Sequence, residues 1–292
     1  MVLTPRALLA GASVIAAAFL ALLGVAYGSP GARWLDASAF QGFLGLQGTT
    51  LTPLAERVVA LGNPTEVGLI GSALALVALA RGRPRVAAFV LALLMLTSVS
   101  SQALKALLAY PRHEGLIAGS HIDPAAFPSG HATAAMAMAI ALVVVMPSRL
   151  RPLAALSGAG LALGVSFSIV SLGWHLPSDV AGGYLLATGW ALVLLAALRM
   201  ADGLFPERSG RSRVAAVSRS VVERLAAIGL TAVVVAGAVA ATGAAALGVV
   251  FRLPDLVGYA QDHTAFVVVA AWLALSAAAL LAGVASALAR RV

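Results

Sequence analysis

Long apolar runs alternate with short polar segments along this chain, and the runs are too long and too uniformly apolar to be the surface helices or strands of a water-soluble domain. Spans are expected at residues 7–27, 65–80, 86–108, 130–146, 153–172, 178–198, 226–250 and 264–288, about eight in all. The pattern therefore predicts an all-α, polytopic helical membrane protein. Residues 29–64 mix Trp34, Asp36, Glu56 and Arg57 with apolar positions and are read as interfacial helices. Gly28-Ser29-Pro30-Gly31-Ala32 would suit a signal-peptide cleavage site, but the run before it is longer than a signal core, which favours a retained first span.

Composition agrees: 61% of residues are hydrophobic and 10% charged, and the mean hydropathy is +0.99. The formal charge of +8 suggests a nucleic-acid partner only until the arginines are placed. They are spread along the chain, with no basic stripe and no interleaved aromatics, so nucleic acid is set aside. No cysteine is present, which excludes disulfides, thiolate metal sites and a cysteine nucleophile. Abundant Ala, Gly and Arg beside a single lysine, Lys105, fit a bacterial genome of high GC content.

The arginines fix an expected orientation. Arg6, then Arg81, Arg83 and Arg85, then Arg149 and Arg151, then the group from Arg199 to Arg224, then Arg290 and Arg291 alternate onto one side. By the positive-inside rule that side, with both termini, is cytoplasmic. The other side receives all five histidines, His113, His121, His131, His175 and His263. Three units follow: residues 1–200 as a core of about six spans, a basic cytoplasmic linker at 201–224, and a C-terminal hairpin of about two spans at 225–292. Gly160 and Gly164 are read as a small-xxx-small pair for close helix packing.

Two clusters on the histidine-bearing side carry chemistry. In Phe127-Pro128-Ser129-Gly130-His131, a Ser-Gly pair opens an apolar helix, offering free N–H groups and the positive end of the helix dipole to an anion. Lys105, at the end of the preceding span, and Arg112, seven residues on, add two cations suited to a phosphate. In Gly173-Trp174-His175-Leu176-Pro177-Ser178-Asp179, Pro177 suits a first helical turn, and Asp179 can accept from a ring nitrogen of His175 and raise its basicity. Two histidines, one backed by a carboxylate, make a nucleophile and general-acid pair. His113, His121 and His263 are scattered without metal-ligand spacing, so neither metal nor cofactor is expected.

These residues resemble the type 2 phosphatidic acid phosphatases, or lipid phosphate phosphatases, related to the vanadium haloperoxidases. The family pattern runs Lys, six residues, Arg-Pro; then Pro-Ser-Gly-His; then Ser-Arg, five residues, His, three residues, Asp. Here Lys105 and Arg112 keep their spacing with His113 in place of the proline, and Pro128-Ser129-Gly130-His131 is complete. Ser168, His175 and Asp179 keep theirs, while Ile169 stands where the family has arginine. The resemblance spans about residues 65–200. It implies that His175 attacks phosphorus to give a phosphohistidine and that Asp179 holds its ring. His131 would protonate the leaving oxygen and later activate water, while Lys105, Arg112, Ser129 and the Gly130 N–H bind phosphate oxygens, with no metal.

The expected protein is thus a membrane phosphatase for a lipid phosphate or diphosphate, such as undecaprenyl diphosphate, a related polyprenyl phosphate or phosphatidic acid. It would work among membrane lipids at the extracytoplasmic face of a bacterial cytoplasmic membrane, serving the cell envelope. A lipid phosphotransferase remains an alternative, and Ile169 keeps open a non-catalytic lipid-phosphate-binding protein. The orientation is directly testable, because the native chain has no cysteine. A cysteine at position 120, in place of Ser120, is expected to react with an impermeant maleimide on intact cells, and one replacing Ser212 is not; the reverse pattern would put the histidine clusters in the cytoplasm.

Overall fold

The structure is a computed structural model that describes residues 3–49, 51–110, 122–204 and 253–288. Arg112, His113, His121, the linker 205–224, the span expected at 226–250 and Arg252 lie outside these residues. The helices are α1 (Pro5–Gly28), α2 (Pro30–Leu44), α3 (Thr52–Ala60), α4 (Pro64–Ala80), α5 (Pro84–Leu107), α6 (Gly130–Val145), α7 (Arg151–Ser171), α8 (Pro177–Leu204), α9 (Leu253–Asp262) and α10 (Thr264–Ala287). No strand occurs among the described residues, as the all-α expectation requires.

Prolines set many of the helix starts. Pro5, Pro30, Pro53, Pro64, Pro84 and Pro152 sit in first turns, where a missing N–H costs nothing and the fixed φ suits the helix. Thr4, Ser29 and Ser129 cap α1, α2 and α6 through their side chains. Among the described residues five helices are long and apolar enough to cross a membrane: α1, α5, α7 with the short turn before it, α8 and α10. A sixth span is available if α3 and α4, bent by 54° at their junction, are taken together. This is a multi-pass membrane protein.

The expected span at 130–146 is the helix α6, but its 16 residues extend only about 24 Å, some 6 Å short of a typical hydrocarbon core. It is the centre of the bundle. Nearly every residue from Ala132 to Val145 is buried, against α4, α5, α7, α8 and α10. A helix apolar on all sides belongs in such a position, and its lack of a polar face explains why α6 has no preferred side. Helix α1 runs chiefly along α8, and α10 lies against α7 and α2 with Val269, Leu273, Ala277, Leu281 and Val284 buried. The last helix therefore packs one face against the bundle.

One end of the bundle gathers the arginines. The Arg81 and Arg83 guanidinium groups donate to the carbonyl of Val145 at 3.1 Å each, closing the C-terminus of α6. Arg151 donates to the carbonyl of Leu288 at 2.7 Å, beyond α10. Arg85 pairs with Asp202 at 2.9 Å, joining the start of α5 to the end of α8. Because α6 and α8 end there, their N-termini, carrying His131 and Asp179, lie at the opposite end.

Of the expected glycine pair only Gly164 stands at a close helix approach, against α3, and other glycines are tighter. A Cβ on Gly160 would meet nothing within 4 Å, and one on Gly164 would meet Val58 at 3.2 Å. Gly158 is the tight one on α7, where a Cβ would lie 2.9 Å from that of Ala139 on α6. On α8, a Cβ at Gly182 would sit 2.7 Å from the Phe127 ring, and one at Gly183 would sit 2.9 Å from both the Ser129 carbonyl oxygen and the Thr133 nitrogen. Backbone cannot yield as a side-chain tip can, so Gly183 sets how near α8 comes to the start of α6. Gly183→Ala is expected to destabilise the protein by roughly 1–3 kcal/mol through overpacking, whereas Gly160→Ala should be neutral or slightly stabilising; thermal unfolding in detergent compares the two.

Candidate active site

The start of α6 is built by the loop 122–129. The Phe127-Pro128 bond is cis, and Phe127, 1% exposed, packs against α1 through Phe19, with ring centroids 5.5 Å apart, and Tyr27, 6.0 Å away edge-on. The Tyr27 hydroxyl donates to the carbonyl of Leu108 at 2.9 Å, tying the same helix to the end of α5. Ser129 is fully buried and caps α6, its Oγ accepting from the N–H of Ala132 at 3.3 Å. Its hydroxyl proton stays available for an oxygen placed at the helix mouth. The Thr133 hydroxyl donates to the Ser129 carbonyl at 2.6 Å, so that group is satisfied inside the bundle.

The start of α8 is fixed as firmly. Asp179 is fully buried. Its Oδ2 accepts from the N–H of Leu176 at 2.9 Å and faces Nδ1 of His175 at 3.4 Å. The carboxylate thus spans the turn before the helix and orients the ring, as the spacing of four residues implied. Asp36 on α2 does a second job there: its two oxygens accept from the N–H and the hydroxyl of Ser178 at 2.9 and 2.6 Å. Gly173, at φ 82°, allows the sharp exit from α7. Gln47 supports that exit by donating from Nε2 to the Ser171 carbonyl at 2.8 Å.

The two starts are joined by one backbone hydrogen bond, from the N–H of Ser129 to the carbonyl of Asp179 at 2.9 Å. Two helix N-termini converge, which makes the local field positive. His131 lies within it. His175 and Lys105 are both near enough for their charges to act on it, and the Trp174 ring centroid is 5.8 Å away. Lys105 is half-buried in the last turn of α5. One turn earlier on the same face, Ser101 is 1% exposed and its hydroxyl has no hydrogen-bond partner. That hydroxyl lies 3.9 Å from where a Cβ of Gly130 would stand. Among the described residues no three His, Asp or Glu side chains gather as metal ligands.

Of the residues singled out in the sequence, Lys105, Ser129, Gly130, His131, His175 and Asp179 come together; Arg112 falls outside the described residues. Sequence reasoning missed Asp36, Ser101 and Asn63. The Asn63 side-chain oxygen is 3.2 Å from Nε2 of His131. Asp36 and Asn63 look like ordinary interfacial and helix-cap residues in the sequence, and nothing local shows that either reaches a distant motif.

Residues 85–202 match the family model of the PAP2 superfamily. The fold is similar to the crystal structure of the first transmembrane PAP2 type phosphatidylglycerolphosphate phosphatase from Bacillus subtilis, at a TM-score of 0.54 and 21% identity, covering 68% of this chain and 98% of that one. No curated protein matches the chain. Residues 85–202 thus resemble the PAP2 superfamily, and the bundle has the fold of a transmembrane PAP2 protein. Every residue of the three motifs lies inside the matched stretch.

Ile169 is the departure from the family pattern, and it is wholly buried within the apolar core, with its carbonyl accepting from the N–H of Trp174 at 3.0 Å. A cation there would need an anion. Ile169→Arg is expected to lower stability by roughly 2–4 kcal/mol, and inorganic phosphate should recover part of the loss in the variant but little in the native protein. Thermal unfolding with and without phosphate reads both effects, and a variant indifferent to phosphate would put position 169 out of reach of the bound anion.

Proposed function

We propose that the protein hydrolyses a lipid phosphate or diphosphate at the extracytoplasmic face of the bacterial cytoplasmic membrane, through a phosphohistidine on His175. The observation that carries this reading is the buried His175–Asp179 pair, joined through the Ser129 N–H to the helix start that bears His131. With Nδ1 turned to Asp179, Nε2 of His175 is the free nucleophilic atom. Its lone pair forms the N–P bond as the P–O bond to the lipid breaks, and His131 protonates the departing oxygen. In the second half His131 takes a proton from water, the water oxygen attacks phosphorus, the N–P bond breaks and inorganic phosphate leaves. Lys105, Arg112, the Ser129 hydroxyl and the Gly130 N–H compensate charge on the equatorial oxygens, which is the main demand of phosphoryl transfer.

The setting supports a lipid substrate. The site lies at the end of the bundle opposite the arginines, so the positive-inside rule favours the outer face with both termini inside. Half-exposed Trp174 beside His131 suits a headgroup-level position. A polyprenyl diphosphate such as undecaprenyl diphosphate, phosphatidic acid and phosphatidylglycerol phosphate are the candidate substrates. In this reading residues 1–200 form the phosphatase core, 201–224 a cytoplasmic linker and 225–292 a membrane hairpin whose last helix buttresses α2 and α7. The apolar Ile169 favours a second reading, in which the chain binds such lipids with slow turnover or passes the phosphoryl group to another acceptor.

Purified protein given those three lipids in the presence of a chelator is expected to release phosphate from at least one. His175→Ala should abolish both release and any trapped phosphoenzyme, and His131→Ala should slow turnover by about 10²–10⁴-fold. Undiminished release by His175→Ala would exclude the phosphohistidine route. Lipid retention without turnover would favour the binding reading.

A further inference from the structure

The junction of α3 and α4 is the one place among the described residues where a bent helix pair crosses the apolar region, and it meets the site. Irregular backbone at membrane depth is tolerated where it is buried in protein or lines a polar cavity. Here the end of α3 tightens, with the N–H groups of Leu61, Gly62 and Asn63 donating to the carbonyls of Val58, Val59 and Ala60 at 3.2, 2.9 and 3.0 Å. The backbone is thereby satisfied without any ligand. The side chains point to a different purpose.

Asn63 occupies the N-cap position of α4, with φ −69° and ψ 152° and Pro64 at the first helical position. Asparagine is among the best N-cap residues, yet its side chain makes no cap hydrogen bond. It is turned instead to His131, with Oδ1 3.2 Å from Nε2. Gly62 completes the seat: a Cβ there would lie 2.8 Å from Cδ2 of His131 and 3.2 Å from its Cβ. The Nε2–Cδ2 edge of the imidazole therefore rests on Gly62-Asn63, and the Nδ1 edge is left for the reaction. A local preference is given up at the same place where steric room is reserved, and both serve one ring.

We propose that Asn63 is a positioning residue whose side-chain carbonyl accepts the Nε2–H of His131, holding the neutral ring in the Nε2–H tautomer so that Nδ1 is the atom that exchanges protons. The catalytic consequence rests on the phosphatase reading; the tautomer is a property of the protein alone. The imidazolium carries a proton on each nitrogen. As the P–O bond breaks, the Nδ1 proton passes to the leaving oxygen, its electron pair stays on nitrogen, and the other proton remains on Nε2, donated to the Asn63 carbonyl oxygen. When water attacks, Nδ1 takes back a proton and the imidazolium is restored.

The test uses the full chain in lipid nanodiscs, labelled with ¹⁵N-histidine, with the His131 signals assigned by their loss in His131→Gln. Two-bond ¹⁵N–¹H correlations in the native protein are expected to show the Nε2–H tautomer. Asn63→Ser caps α4 as well but is too short to reach the ring, so it should lose that preference, while Asn63→Asp should keep it. With dioctanoyl phosphatidic acid as probe, Asn63→Ser should lower kcat on the order of tenfold or more at nearly constant KM, and Asn63→Asp should recover most of the loss. An Nδ1–H tautomer in the native protein, or native tautomer and kcat in Asn63→Ser, would overturn the proposal. If Asn63→Ser does not fold, the native tautomer decides. If native protein leaves the probe untouched, the phosphatase reading fails for that lipid while the tautomer still judges Asn63.

Discussion

The hydrogen bond from the Ser129 N–H to the Asp179 carbonyl brings the starts of α6 and α8 together, and the site exists only where those starts meet. Neither motif is a site by itself. In the proposed function the Ser-Gly turn supplies donors and a dipole but no nucleophile, and the His175–Asp179 pair supplies a nucleophile without a cradle for the phosphate. Gly182 and Gly183 allow the contact by leaving room for Phe127 and for the backbone of Ser129 and Thr133. In a membrane, where lipid is as apolar as any side chain, close packing and internal hydrogen bonds hold helices together. The residues that fit the helices to one another are thus the same ones that assemble the chemistry.

The remainder of the bundle protects that junction. The apolar α6 is enclosed on all sides, and the arginines at its far end satisfy its last carbonyls, so the helix is fixed at both ends. Helix α1 braces Phe127, α2 supplies Asp36 to the start of α8, and the turn after α2 supplies Gln47 to the loop before α8. None of these supports belongs to a motif. They explain how side chains on three different helices are held at one place.

Polarity inside such a bundle is costly unless it is used. Asp179 and Thr133 are buried and hydrogen-bonded within the starts of their own helices, and the buried Ser129 caps α6. Ser101 is the exception at the mouth of α6, a buried hydroxyl with no partner, and its place beside Gly130 suits an anion's oxygen. Ile169 moves in the opposite direction, placing a hydrocarbon where the family pattern has charge. The site thus combines an unspent donor on α5 with a hydrocarbon on α7 where the family pattern has a cation.

Much was legible in the sequence because membrane helices obey strong local constraints: length, continuous apolarity, proline at helix starts and arginine on one side are each readable residue by residue. Motif spacing made His175 and Asp179 neighbours, since four residues across a helix start leave little choice. The length of α6 was overestimated by one residue, and with it a full crossing, because apolarity marks burial as well as lipid contact. The small-xxx-small spacing picks out Gly160 and Gly164 and passes over Gly158, because a spacing rule cannot tell which face of α7 meets α6. Asp36, Ser101 and Asn63 were invisible for a common reason: each acts across a gap of many residues in sequence on a group it meets only after the helices pack. What the chain determined alone was which helices form and which chemistry they carry; the packing decided which side chains hold that chemistry in place, because a hydrogen bond between helices depends on their approach and not on the spacing within either one.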